Sequence, residues 1–330
     1  MNAQSVPAGP RTIPDRLHSP LTRGLRSWEA ILLVVAVAVF IANSFLSPHF
    51  LNAWNLSDAT FNFTEKALIA FAMAMLIVAG DIDLSVASII ALASTAMGLA
   101  MTAGADVPVI VAVGLLTGLA CGAVNGLLVA GLGLPSIVVT IGTMSLFRGI
   151  AFVVLGDRAF TGYPPGFAWF GQGYVWWVIS VELVLFALAA LVFGLLLHRT
   201  TFGRAVQAIG NNPTAARFSG IRVGRVRFVL FVLTGLMAGL GPVWLNSRPG
   251  TTPPSSTPGG GAGVVTMVVL GGVNILGGSG RIPGVVLAAL IMGMVTFGFG
   301  LMNVPGIVMS IFLGFLLITV IALPRLLRRG

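Results

Sequence analysis

Residues 107–130 read VPVIVAVGLLTGLACGAVNGLLVA, and this stretch decides the fold class of the chain. It contains no charged residue, and a helix that crosses a bilayer needs about 20 mostly apolar residues. Because a backbone in hydrocarbon must satisfy its own hydrogen bonds, the stretch predicts a transmembrane helix. Cys121 lies inside it and is the only cysteine, which excludes an intramolecular disulfide and predicts a buried, inert thiol.

The rest of the chain has the same character. Of its 330 residues, 57% are hydrophobic and 8% are charged, whereas a soluble domain carries roughly 25% charged residues. The sequence therefore predicts an all-α, polytopic membrane protein with one membrane domain, 28–324, between tails at 1–27 and 325–330. Interruptions rich in glycine or proline at 131–135 and 277–280 predict broken or re-entrant segments beside a pathway. About ten transmembrane helices are expected, at 28–47, 65–80, 85–104, 107–130, 136–155, 174–198, 228–247, 263–278, 284–303 and 306–324.

The basic residues predict the orientation of these helices. Arginine and lysine collect in cytoplasmic loops. If the N-terminus is cytoplasmic and ten helices cross the membrane, fourteen of the 18 basic residues fall on the cytoplasmic side. Both termini are therefore expected in the cytoplasm. Because these residues stand between apolar runs, a partnership with nucleic acid is not expected.

No catalytic residue and no metal site are predicted. The three histidines lie far apart, and no cluster has the spacing of metal ligands. Asp81 and Asp83 are the only closely spaced acidic pair, which is a weak indication of a metal-dependent membrane enzyme. No phosphate-binding loop of the form GxxxxGK[ST] occurs. The chain is therefore expected to hold no cofactor, and any ATP would be bound by partner subunits.

The loop 199–227 is the largest one that should face the cytoplasm, and it reads RTTFGRAVQAIGNNPTAARFSGIRVGRVR. It predicts one helical piece at 203–209, a break at 210–213, and a second piece at 214–219 that Gly220 ends. The second piece is amphipathic, and such a helix can dock in a groove of another protein. A solvated basic loop that anchors to lipid is the alternative interpretation.

At this loop the chain resembles the permeases of ribose-type sugar ABC importers. Their cytoplasmic coupling loop follows roughly the pattern GRxxxAxGxNxxAAxxxGI, which residues 203–221 match. Further support comes from GDIDLS at 80–85, from PSIVVTIGTM at 135–144 followed by Arg148, and from VLGGVNILGG at 269–278. The resemblance implies that an ATPase docks on this loop through Gly203, Arg204, Gly210, Asn212, Ala215, Ala216, Arg217 and Gly220.

The resemblance also implies partners and a location. These are a second permease subunit in a homo- or heterodimer, a cytoplasmic ATPase with two nucleotide-binding domains, and a periplasmic sugar-binding protein, assembled in a bacterial inner membrane. FNFTEK at 61–66 and GQGYVWW at 171–177 look most like rhamnose permeases, with ribose and autoinducer-2 permeases less similar. Residues 249–263 depart from the family, which usually has a glutamate leading into the next helix. Their Pro/Gly-rich sequence predicts a flexible loop.

A secondary transporter or channel that needs no ATPase is the alternative function. Ion-coupled carriers usually place ionisable residues in mid-membrane, and such residues are nearly absent here. The exceptions are Arg148, for which an ion pair with Asp157 is one expectation and contact with sugar another, and Glu182 near the start of its run. Asp83 and Ser85 precede an apolar run, so we expect them to cap a helix, and Asp81 to share this structural role, with a direct part in transport as the alternative.

A pathway for a neutral polyol should offer hydroxyl and amide groups rather than a fixed charge. Any one such group more often bonds a carbonyl of its own helix. Seven polar side chains in or beside apolar runs are the candidates for the pathway: Asn125, Ser136, Thr140, Thr143, Ser145, Thr266 and Asn274.

Overall fold

The structure, a computed structural model, describes residues 28–60, 63–156, 159–252 and 260–309, together with 311–312, 314–315 and 318. Its helices are α1 Trp28–Leu46, α2 Ala53–Ala59, α3 Thr64–Val78, α4 Val86–Thr102, α5 Val107–Gly126, α6 Ser136–Leu155, α7 Ala168–Gln172, α8 Val181–Arg199, α9 Thr201–Asn211, α10 Pro213–Phe218, α11 Val223–Ser247, α12 Gly260–Leu270 and α13 Ile282–Leu301. The strands are β1 Phe160–Thr161, β2 Tyr174–Trp176, β3 Ile179–Ser180 and β4 Thr251–Thr252, and β1 pairs with β4 and β2 with β3.

The helices confirm a polytopic helical membrane fold. Within the described residues, six are long and apolar enough to cross a membrane, or seven if the bent pair α2–α3 is one span. Helix α4 is apolar but has only 17 residues. The predicted run 306–324 lies partly outside the described residues, and both tails lie wholly outside them.

The predicted run 174–198 is wrong at its start. Strands β2 and β3 occupy its first residues as an antiparallel hairpin, and α8 begins only at Val181. The Ser180 hydroxyl sets this start, because it accepts a 3.1 Å hydrogen bond from the Leu183 N–H. Aromatic and β-branched residues suit a strand as well as a helix, so apolar composition alone did not separate the two.

The predicted run 263–278 is wrong at its end, because α12 stops at Leu270 and the chain continues in turns to 281. Gly272, two residues after Leu270, has a φ of +82°, a left-handed conformation that commonly ends a helix. The predicted interruption at 131–135 is confirmed. The end of α5 widens into a π-helix, Leu127–Gly131, before the next helix starts.

Helices α5 and α11 cross each other and are in direct backbone contact at their glycines. A Cβ atom at Gly118 would lie 2.6 Å from the Cα of Gly239 and would also clash with the carbonyl oxygen of Gly235. A Cβ atom at Gly235 would in turn lie 2.7 Å from the Cα of Gly122. The paired glycines of the two helices allow this close packing, because no other residue leaves room for the facing backbone.

Helix α3 is the centre of the bundle. Residues 67–78 are at most 1% exposed, and α8, α11, α12 and α13 pack around them. A helix that is apolar on every side is typical of such a position. Its C-terminal end therefore delivers the next residues, 79–85, to the interior of the protein rather than to its surface.

Candidate functional site

The turn between α3 and α4 carries a buried polar cluster, which we call the acidic-turn cluster: Asp81, Asp83, Ser85, Asn125 and Ser136. Asp83, Ser85 and Asn125 are fully buried, while Asp81 and Ser136 are 4% and 8% exposed. The turn itself supplies the first three residues, α5 supplies Asn125, and α6 supplies Ser136. Three predicted structural residues and two predicted pathway residues thus come together at one place.

Asp83 organises the cluster by accepting hydrogen bonds. Its Oδ1 accepts from the backbone N–H of Ser85 at 2.8 Å and from the Ser85 hydroxyl at 2.6 Å. Its Oδ2 accepts from the Asn125 amide at 3.2 Å, and the same amide donates to the Ser85 hydroxyl oxygen at 2.8 Å. Burial raises the pKa of Asp83, and these donors work against the shift.

The expected cap of α4 is only partly right. Ser85 occupies the capping position, but its side chain makes no capping bond; its hydroxyl instead donates to Asp83 and accepts from the Asn125 amide. Asp83 instead bonds the backbone N–H of Ser85, one residue ahead of the helix. The carboxylate therefore pins the turn to α5 through Asn125 rather than capping the helix.

Asp81 forms an ion pair that was not predicted from the sequence. Its Oδ2 lies 3.0 Å from Nε of Arg227 on α11, and the two side chains are 5% and 26% exposed. Burial raises the pKa of Asp81, and the charge of Arg227 lowers it. The sequence did contain a clue to this pair. A buried carboxylate needs a nearby cation, and Arg227, the last residue of the basic loop 199–227, was one of the candidates.

The remaining pathway candidates do not converge. Thr140 and Thr143 are buried on α6, and Thr140 donates to the Ser136 carbonyl of its own helix at 2.8 Å and to the Ile82 carbonyl of the turn at 3.4 Å. Ser145 is exposed on the other side of α6, Thr266 is buried in α12, and Asn274 is exposed. Only the first two therefore extend the acidic-turn cluster.

Arg148 lies on α6 and is half-buried. Within the described part of the chain no ion pair or hydrogen bond involves it. Asp157, its expected partner, lies outside the described residues. A Cβ atom added at Gly142 or Gly149, which are near it on the same helix, would have nothing within 4 Å, so this face of α6 has no neighbour in the described chain.

The loop 199–227 folds as the helix pair α9 and α10, close to the two predicted pieces. Thr200 caps α9 through a 3.1 Å bond from the Gly203 N–H, and Asn212 caps α10 by accepting from Thr214 and Ala215 at 3.0 Å each. Gly220 ends the pair with φ +83°. Asparagine is among the best capping residues, which explains the sharp break between the two helices.

The predicted coupling residues separate into packed and exposed groups. Gly203, Gly210 and Ala216 face inward: a Cβ at Gly210 would overlap the Val78 carbonyl, and Ala216 is 4% exposed. Five are exposed, namely Arg204, Asn212, Ala215, Arg217 and Gly220. The most exposed large apolar side chain of the pair, Phe218 at 90%, was not among the predicted coupling residues, although the sequence showed it on the amphipathic face.

Helix α9 is tied to the centre of the bundle. Gly278 donates its N–H to the Val78 carbonyl at 2.8 Å, and the Asn211 side chain donates to the Gly278 carbonyl at 3.2 Å. Val78 ends α3, and Asp81 follows it three residues later. The contacts of α9 through Asn211 and Gly278 therefore connect the loop helices to the acidic-turn cluster. A displacement of α9 must move or strain that turn.

The opposite end of the bundle is closed by a strap, residues 160–182, which was not predicted from the sequence. Tyr163 shares a 2.7 Å hydrogen bond with Thr252 and accepts from the Asn246 amide at 3.1 Å. Burial raises the pKa of Tyr163, so its phenol stays neutral and keeps both bonds. Strand β1 pairs with β4, which fastens the strap to the chain that follows α11.

An ion pair fixes the strap at its other end. Arg248 donates to Glu182 at 2.9 and 3.2 Å, and the Glu182 side chain is 1% exposed. A buried charge of this kind requires its partner. In the sequence, Glu182 stands alone among apolar residues, which indicates that it needs a cationic partner. Only the fold identifies that partner as Arg248.

These features define a class of protein. Apolar helices enclose a polar turn, a strap closes one end, and an exposed amphipathic helix pair stands at the other end and contacts the turn. This is the construction expected of a membrane transport subunit.

Comparison with known proteins places the chain within that class. Residues 55–321 match the family described as the permease component of branched-chain amino acid transport systems, and the chain belongs to this family. It is 35% identical over 303 residues to the L-arabinose ABC transporter permease protein AraH of Azospirillum brasilense, covering 88% of this chain and 87% of that one. No solved structure gives a significant match.

Two further relatives carry two different substrate names. The autoinducer 2 import system permease protein LsrD of Salmonella typhimurium is 34% identical over 301 residues, which cover 89% of this chain and 90% of the relative. The L-arabinose transport system permease protein AraH of Escherichia coli is 33% identical over 302 residues, with coverage of 91% and 92%.

The resemblance to ribose-type sugar ABC importer permeases is confirmed, and the chain is a permease subunit of a multi-pass inner-membrane transporter rather than an enzyme. Rhamnose as the substrate is not confirmed by these relatives and stays a prediction.

Proposed function

We propose that this chain forms the membrane channel of a bacterial monosaccharide importer, and that a separate ATPase drives it by docking on α9 and α10. The exposure of Phe218 carries the proposal: the ring is 90% exposed on a short helix that is otherwise anchored at both ends. A large aromatic side chain held rigidly at a surface is a typical anchor of a protein interface. Arg204 and Arg217, both exposed, would surround it with positive charge.

The contacts of α9 provide a path by which a movement of the docked ATPase would reach the membrane helices. Force on α10 reaches α9 through Asn212, which caps α10 and follows α9 directly. From α9 it reaches Val78 and the acidic turn through the Asn211 and Gly278 contacts. The Asp81–Arg227 pair links the same turn to α11, so the stroke would tilt two central helices together.

The substrate pathway is proposed to follow α6. One face presents Ser145 and Arg148 together with Gly142 and Gly149, at which an added Cβ atom would have nothing within 4 Å, and the other face presents the buried Thr140 and Thr143. An arginine within an apolar helix is costly unless it meets water or another protein chain. We therefore infer that a second permease subunit lies across this face, with the sugar path between the two.

The remaining parts of the assembly follow from the family. The ATPase would have two nucleotide-binding domains and bind all of the ATP, and a periplasmic sugar-binding protein would deliver the substrate. Both termini would be cytoplasmic, with 1–27 and 325–330 as tails and 28–324 as the membrane domain. L-arabinose and autoinducer 2, named for the relatives, stand beside rhamnose and ribose as candidate substrates.

Co-purification with the ATPase tests the proposal. Phe218→Asp should prevent the neighbouring ATPase subunit from co-purifying with the permease, because it places a charge in the proposed anchor site. The matched control is Trp176→Asp, since this aromatic residue is 76% exposed in the β2–β3 hairpin at the opposite end. Equal loss in both variants, or no loss in Phe218→Asp, would exclude docking at α10.

The substrate requires a separate measurement. The binding protein encoded beside the permease is titrated with L-arabinose, L-rhamnose, D-ribose and autoinducer 2 by calorimetry. Uptake of the sugar that binds is then measured in cells with and without this permease. Binding of none of the four would exclude all four candidate substrates, and uptake that does not depend on the permease would exclude this chain as the importer.

A further inference from the structure

A groove on the outer surface of the bundle lies outside everything assigned above. It runs between α8 and α13, has a volume of about 570 Å³, and is lined almost wholly by aliphatic side chains. Leu191 and Leu195 form one wall and are 58% and 50% exposed, and Leu287 belongs to the other. Gly194 forms the floor, where a Cβ atom would be 4.0 Å from Ile282. The volume is that of a site for a small organic molecule, which is roughly 300–1,000 Å³.

The groove has the length of one bilayer leaflet. Its lining on α8 extends from Ala190 to Arg199. Nine steps along a helix cover about 13 Å, since each residue rises about 1.5 Å. The hydrocarbon core of a bilayer is about 30 Å thick, so half of it is about 15 Å. The groove therefore spans from the membrane surface at the α9–α10 end to about the bilayer midplane.

The surface end of the groove is basic. Arg199 lines it and is exposed, and within the described residues no carboxylate pairs with it. Arg281 follows on the facing segment, 70% exposed, with one contact to Glu29 at 3.2 Å. His198 stands between them and accepts the Ile282 N–H at 3.2 Å, so it joins the start of α13 to the end of α8. The N-terminus of α13 adds the positive end of a helix dipole.

We propose that this groove binds an anionic phospholipid of the leaflet at the α9–α10 end. The acyl chain lies along Leu191, Gly194 and Leu287, and the phosphate sits at Arg199. The apolar lining and the single basic end match the two parts of a lipid, whereas a second copy of the chain would have to bring an anion to Arg199. Because Arg199 is directly followed by the loop helices, the bound lipid would brace the joint at which the ATPase acts.

The test measures lipid retention by the full-length permease. The protein is delipidated in detergent, mixed with equal amounts of phosphatidylglycerol and phosphatidylcholine of identical acyl chains, and analysed by native mass spectrometry. The unaltered chain should retain phosphatidylglycerol preferentially. Arg199→Gln should reduce this preference about fivefold, because one basic residue near an anionic lipid surface contributes about 1 kcal/mol and about 1.4 kcal/mol is a factor of ten. Arg217→Gln, an exposed arginine on α10, is the charge control and should leave the preference unchanged.

A second variant tests the groove itself. Gly194→Leu places a side chain on the floor, where the added Cβ atom is in ordinary contact with Ile282, and should reduce retention of both lipids, while Gly142→Leu, at an open glycine on α6, should not. Equal retention of the two lipids by the unaltered chain would overturn the proposal. So would equal effects of Arg199→Gln and Arg217→Gln, or a Gly194→Leu variant that loses self-association but keeps its lipid.

Discussion

The glycine crossing of α5 and α11 makes a quantitative prediction. Gly118→Ala adds one methyl group at a position where Cβ would lie 2.6 Å from the Cα of Gly239. Backbone atoms cannot rotate away as a side chain can, so the two helices must separate. Overpacking of this kind costs about 1–3 kcal/mol. One kcal/mol shifts the midpoint of thermal unfolding by roughly 2–4 °C in a domain of 150–250 residues, so a fall of roughly 2–12 °C is expected.

Gly142→Ala is the matched control, because it is the same substitution in a helix with nothing within 4 Å of the new methyl group. Alanine favours a helix by about 1 kcal/mol over glycine, so this variant should unfold at a slightly higher temperature than the unaltered chain. The two variants should therefore shift in opposite directions.

Cys121 reports the unfolding without any engineering. It is the only cysteine, it is 5% exposed, and it lies one turn from Gly118 on α5. A maleimide dye that fluoresces on reaction with a thiol will label it only when the bundle opens, so the labelling midpoint measures the stability of this crossing. Equal shifts in Gly118→Ala and Gly142→Ala would refute the close approach of the two helices.

Three other substitutions test the polar contacts. Arg248→Met should lower the labelling midpoint strongly, because it leaves the buried Glu182 carboxylate unpaired at a cost of about 3–5 kcal/mol. Adding Glu182→Gln should restore most of the lost stability. No recovery in the double variant would contradict the pairing. Asn125→Leu should destabilise the chain by about 1–3 kcal/mol, because Asp83 loses a donor in a fully buried site, and a midpoint unchanged from the unaltered chain would show that the acidic-turn cluster is not held this way. Arg148→Gln should abolish sugar uptake in cells while the labelling midpoint stays within a degree or two, and normal uptake would remove Arg148 from the pathway.

The loop helices show how far local sequence reasoning reaches. Asn212 and Pro213 start a helix and Gly220 ends one, and each of these effects depends only on residues nearby in the sequence. The break between α9 and α10 and the end of α10 were therefore predictable. Whether Gly210 faces outward is different, because the answer depends on Val78, more than a hundred residues away. That contact exists only once α3 is placed at the centre of the bundle.

The β2–β3 hairpin is a feature that local sequence reasoning did not predict. Hydropathy treats its tyrosine, valine and tryptophan residues as continuous with α8, since apolar composition is common to membrane helices and interfacial strands. Only the Ser180 cap and the pairing of the two strands separate them.

The stretch 107–130, together with a charged content of only 8% in the whole chain, determined that this chain lies in a bilayer, because an uncharged run of this length matches the thickness of the hydrocarbon core. The same stretch has glycines at positions 114, 118 and 122, and small residues at this spacing let membrane helices pack closely. Only the tertiary structure decided that those glycines meet α11, that Asn125 at the end of the same helix holds Asp83, and that Arg227 balances Asp81. The reason is physical: burial and apolar periodicity act along one helix, whereas a hydrogen bond or ion pair between helices depends on which surfaces the whole bundle brings together.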